Sequence, residues 1–147
     1  MNKLIIILCA TVLVGCNASV DQETDVEWLS APGNEGMPFS AAVRVDNLLF
    51  LSGALGYDAE AGALVAGGIG PETKKTLENI SATLEMFGSS MDKVVKCTVF
   101  LADISEWAAM NEVYVTFFPN KPARSALGSS GLALGARTEI ECIAVID

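Results

Sequence analysis

The side chains best suited to chemistry gather toward the C-terminal end of the chain. Arg124 sits between small residues in Ala123-Arg124-Ser125, inside an apolar strand-like stretch, and is one of three arginines in 147 residues. A guanidinium there presents a planar fork of donors that fits a carboxylate in two-point fashion, which an ammonium cannot do. Downstream, Thr138, Ile140, Cys142 and Ala144 alternate with Arg137, Glu139 and Glu141. In a strand this puts the apolar set on one face and the two carboxylates on the other, where they either do acid–base work or are solvated strand charges.

Composition narrows the chemistry further. The chain has no histidine, which excludes Ser-His-Asp and Cys-His catalysis and any His-ligated zinc site. Proton transfer is left to carboxylates, Lys, Tyr, Cys and water. With 18 acidic against 9 basic residues the net charge is −9, so phosphate backbones are repelled and nucleic acid is not an expected partner. Cys97 and Cys142 each lie in an apolar segment with no Cys or His nearby. They read as buried small apolar side chains; the alternative, a disulfide between them in an oxidising periplasm, stays open because spacing cannot decide it.

The elements that must position these residues form one α+β domain, for which 51% apolar composition supplies a core. Residues 38–45 and 48–53 are strands joined through Asp46-Asn47, a hairpin signal. A turn over 58–62 and a short strand over 63–66 lead to the first helix. Pro71 suits its first position, Glu72 suits its positive end, and Leu77, Ile80, Leu84 and Phe87 form one stripe. Gly88 stops it. Residues 94–101 form a strand. Asp103 and Glu106 have capping-box spacing for a second helix running to Phe118, with Trp107, Met110, Tyr114 and Phe117 on its apolar face and Pro119 ending it. Residues 122–127 and 137–145 are the last strands. Two helices on one face of a mixed sheet leave the other face exposed or buried against another subunit.

The N-terminus reads as a targeting segment. Lys3 precedes an eleven-residue apolar run over 4–14, too short for the about 20 residues that span a bilayer. Leu13-Val14-Gly15-Cys16 then resembles a bacterial lipoprotein box. Residues 1–15 are thus expected to be a signal peptide, Cys16 the lipidated residue, 16–36 a polar, acidic tether, and 37–147 the folded domain. Asn17 after the cysteine favours the outer membrane, with the protein anchored in the cell envelope and facing the periplasm.

Several segments carry a resemblance to a known family. Residues 38–43 (Pro-Phe-Ser-Ala-Ala-Val), Leu51-Ser52-Gly53, Asn79-Ile80, residues 95–101, Met110-Asn111-Glu112-Val113-Tyr114, Phe117-Phe118, Pro122-Ala123-Arg124-Ser125 and residues 139–145 resemble the RidA/YjgF family of reactive intermediate deaminases, over about residues 36–146. The resemblance implies a chorismate-mutase-like mixed sheet with two helices on one face, assembled as a homotrimer around an inner β-barrel with clefts between subunits. It implies hydrolysis of enamines and imines of amino acids, such as 2-aminoacrylate or 2-iminopropanoate, to 2-keto acids and ammonia, without metal or organic cofactor. Arg124 matches the substrate-binding arginine, Glu139 the carboxylate that positions or activates water, Gly53 a glycine whose backbone approaches the substrate, and Asn111 a polar helix residue near the cleft. Phe39 stands where a tyrosine is common, so a hydroxyl is absent; Ala54, Ala126 and the loop over 128–133 also depart from the usual pattern. The alternative is a trimeric protein that binds a carboxylate ligand through the same clamp without turning it over.

Overall fold

The computed structural model describes residues 24–146. The signal segment and Cys16 therefore lie outside the described residues. In chain order the elements are β1 (Val26–Leu29), β2 (Ala42–Val45), β3 (Leu48–Leu51), β4 (Ala54–Leu55), β5 (Tyr57–Asp58), β6 (Ala63–Leu64), α1 (Ile69–Met86), β7 (Val94–Leu101), α2 (Trp107–Phe117), β8 (Ala123–Gly128) and β9 (Thr138–Val145). Short 3₁₀ turns precede β7, α2 and β9. The main sheet runs β1-β2-β3-β9-β7-β8, with β4 also on β9; β7 and β8 are parallel and the other pairs antiparallel. β5 and β6 form a separate hairpin.

Alternation sets the two faces. β9 buries Thr138, Ile140, Cys142 and Ala144, and β7 buries Val94, Cys97, Val99 and Leu101. Onto this face α1 packs Leu77, Ile80 and Leu84, and α2 packs Met110 and Tyr114, all of them in one core. No helix among the described residues is long and apolar enough to cross a membrane. The opposite face is uncovered. The register lines up Trp28, Val43, Phe50 and Ile143 in one row on it, with Trp28 71% exposed and Phe50 39%.

Several expectations need correction. The tether read over 16–36 ends earlier, because Val26–Leu29 pairs with β2 and the folded domain begins near residue 26, not 37. Val26, Glu27 and Trp28 are all exposed and only Leu29 reaches the core, so the strand carries no alternation to read. The strand read over 38–45 shortens to Ala42–Val45. Pro71 is the third residue of α1, which starts at Ile69 behind Gly68. Asp103 accepts the Ser105 N–H at 2.9 Å, but Glu106 does not complete a capping box; its carboxylate holds Arg137 instead. Cys97 and Cys142 are not separate side chains. They are cross-strand partners of β7 and β9, joined by a disulfide.

Candidate active site

Arg124 is the Cα partner of Cys97, so its side chain leaves β8 on the helix-covered face, at the edge of the sheet. There it meets α2. The guanidinium carbon lies 4.5 Å from the centroid of the Tyr114 ring and 5.5 Å from that of Trp107. Its Nη1 donates to Asn111 Oδ1 at 2.8 Å. Trp107, Asn111 and Tyr114 follow one another at helical spacings of 4 and 3, so one stripe of α2 supplies two aromatic supports and one acceptor. No salt bridge among the described residues uses Arg124, and it lines an open cavity of about 270 Å³ with Asn111, Tyr114, Phe118, Lys121 and Pro122. A guanidinium fixed by one edge and its faces keeps its remaining donors for an anion. Burial holds the Tyr114 phenol above its usual pKa, with the Arg124 charge acting in the opposite sense. Its buried hydroxyl has no hydrogen-bond partner among the described residues.

Glu139 stands on the other face. It pairs with Phe100, whose partner on β8 is Leu127, and thus shares the open face with Glu141, Thr98 and Ser125. Gly53 lies against it: a Cβ at residue 53 would collide with the Glu139 carboxylate. The loop that presents Gly53 is tied down from both sides. Ser52 Oγ donates to the Ser40 carbonyl at 2.7 Å, and Asn79 Nδ2 of α1 donates to the carbonyls of Leu55 and Tyr57, each at 2.9 Å. Phe39 is more than half exposed and precedes Ser40, whose carbonyl accepts the Ser52 hydroxyl beside Gly53.

The start of β9 is held by Glu72. This buried carboxylate accepts the backbone N–H groups of Arg137 at 2.6 Å and Thr138 at 3.2 Å. In the sequence Glu72 reads only as an acid at a helix N-terminus; its long-range task needs the tertiary contact. Gly56 makes room for it, since a Cβ there would lie 2.6 Å from the Glu72 backbone oxygen. Among the described residues no cluster of three or more Asp, Glu, Cys or His side chains has metal-site geometry.

The structure thus joins Arg124 with Asn111, and Gly53 with Glu139, but it does not join the two groups within one chain. They emerge from opposite faces, and their rows on the sheet are three residues apart, about 10 Å along a strand. Asn111, expected to touch substrate, here holds the arginine. Trp107 and Tyr114 read only as an apolar helix face, although their spacing with Asn111 was visible.

A mixed sheet with two helices on one face, an arginine at its parallel edge and a glycine–glutamate pair on the open side define a class. The family described as Endoribonuclease L-PSP matches residues 30–146, and the chain belongs to this family, the RidA/YjgF family. Human 2-iminobutanoate/2-iminopropanoate deaminase is 43% identical over 121 residues, covering 82% of this chain and 88% of its own. The chloroplastic Reactive Intermediate Deaminase A of Arabidopsis thaliana is 39% identical over 130 residues, 88% of this chain and 68% of its own. RidA from an Antarctic Psychrobacter is 37% identical with a TM-score of 0.71, covering 81% of this chain and 94% of its own.

Proposed function

We propose that the protein hydrolyses small enamine and imine carboxylates derived from amino acids, such as 2-aminoacrylate and 2-iminopropanoate, to 2-keto acids and ammonia. The observation that carries this reading is the preset Arg124, stacked on Tyr114 and Trp107 and held by Asn111 with donors to spare. These donors clamp the substrate carboxylate and fix the imine carbon, which is already electrophilic. An enamine such as 2-aminoacrylate first tautomerises to the imine, losing a proton from nitrogen and gaining one at C3. Glu139 then orients water and takes its proton as oxygen bonds to the imine carbon and the C=N electrons move to nitrogen; protonation and loss of ammonia leave the ketone. The names of the curated relatives support the same chemistry. The family description points to RNA, but a net charge of −9 and the lack of histidine weigh against an RNA substrate.

The complete site requires another copy of the chain. Arg124 and Glu139 face opposite ways, so a cleft between protomers is the arrangement in which an arginine from one meets a glutamate from the next. The exposed Trp28 and Phe50, in one row with the half-buried Val43, support burial of the open face in a homotrimer. Lipidation at Cys16, with the domain facing the periplasm, is tested with the Cys16→Ser variant: loss of acyl labelling and of membrane fractionation is expected, and equal labelling refutes the anchor. For the reaction, the purified protein is given enzymatically generated 2-iminopropanoate while ammonia and pyruvate are followed. Release no faster than in buffer refutes the proposal.

A further inference from the structure

The Cys97–Cys142 disulfide lies at the centre of the fold. β7 is flanked by β9 and β8, β9 by β3 and β7, and the helices cover the face on which both sulfurs sit. Cys97 is 0% exposed and Cys142 1%. A thiol–disulfide exchange needs a thiolate to reach a sulfur of the oxidant in line, which this packing does not permit in the folded state. Closing the bond therefore calls for an open sheet.

We propose that the Cys97–Cys142 disulfide closes before the sheet does, in a chain that reaches an oxidising compartment unfolded, and that the finished fold then seals it from reductants. One thiolate attacks a disulfide oxidant, of the thiol–disulfide oxidoreductase or oxidised glutathione class, forming a mixed disulfide. The second thiolate displaces the reduced thiol. Two protons and two electrons leave the protein, and the oxidant gains them as two thiols. The compartment rests on the envelope reading above, because cytosolic thiols stay reduced; the order of events rests on burial alone. The bond is a constitutive staple between adjacent strands and not a redox switch. It also fixes the row that carries Arg124, whose Cα partner is Cys97.

The test is one of order of addition, on the full chain unfolded in guanidinium with reductant. One portion is refolded in oxidised glutathione; the other is refolded under reductant, then transferred to the same oxidant. After acid quenching and alkylation in denaturant, the linked Cys97–Cys142 peptide is counted by mass spectrometry. The first portion is expected to link fully, and the prefolded one to link about tenfold or more slowly, at the rate of global opening. A reduced chain that cannot fold, seen by circular dichroism, establishes the same order. Equal rates, or no linkage in the first portion, overturn the proposal. Free Cys97 and Cys142 thiols in envelope fractions of cells also overturn it, whereas imine hydrolysis measured on the same samples reports separately on the deaminase reading.

Discussion

Replacing Arg124 with Ala removes the proposed carboxylate clamp while leaving the core intact, since the side chain is only half-buried and lies at a sheet edge. Truncating one partner of a desolvated, hydrogen-bonded charge pair costs about 2–5 kcal/mol. At about 1.4 kcal/mol per decade, kcat/KM for 2-iminopropanoate falls roughly 30- to several-thousand-fold. Stability changes less: the lost stack on Tyr114 and Trp107 is worth about 0.5–2 kcal/mol. Arg124→Lys keeps the charge but not the fork, so it restores little. Asn111→Ala removes only the tether on Nη1, a loss of about 1–1.5 kcal/mol that lowers kcat/KM roughly five- to twelvefold. The assay couples an amino-acid oxidase to ammonia release, with size exclusion and thermal melts as controls for assembly and fold. An Arg124→Ala protein that folds, assembles and keeps kcat/KM within about threefold of wild type refutes the clamp.

Glu139→Gln keeps shape and removes the base, so kcat falls while pyruvate affinity, read by calorimetry, holds; a parallel loss of both refutes water activation. Glu72→Ala leaves the Arg137 and Thr138 N–H groups unpaired, costing about 2–6 kcal/mol in denaturant unfolding, whereas Glu72→Gln retains most of the stability by keeping an acceptor. Asp103 is held below the usual carboxylate range by its bonds to Ser105. Its capping stability is present above about pH 4 and lost as pH falls through the lowered value, so the Tm deficit of Asp103→Ala at pH 7 closes in acid.

What the sequence revealed tracks what is local. β7 has the predicted limits because a run of apolar and β-branched residues needs no partner to be recognised, and the 3- and 4-residue spacing of Leu77, Ile80 and Leu84 located the buried side of α1. The Asp46-Asn47 turn was legible for a similar reason: Asp tolerates the left-handed backbone it adopts, at φ 51°. Residues whose role depends on register were not. The 15 positions between Arg124 and Glu139 span two strands and a loop, so spacing says nothing about which faces they take. The pairing of Cys97 with Cys142 and the reach of Glu72 to β9 likewise exist only once strands are aligned.

The two glycine–glutamate contacts impose an order on how this chain can change. At Gly53 the obstruction is the far end of a flexible side chain, so an alanine there shifts the Glu139 carboxylate and leaves the backbone in place. At Gly56 the obstruction is the Glu72 main chain, which no rotamer relieves. A lineage that lost its need for Glu139 is therefore free to acquire a side chain at position 53 once residue 139 has shortened. Position 56 gains no such freedom from any substitution at 72. Of two glycines three residues apart, one is contingent on a neighbour's history and the other is invariant for as long as the fold persists.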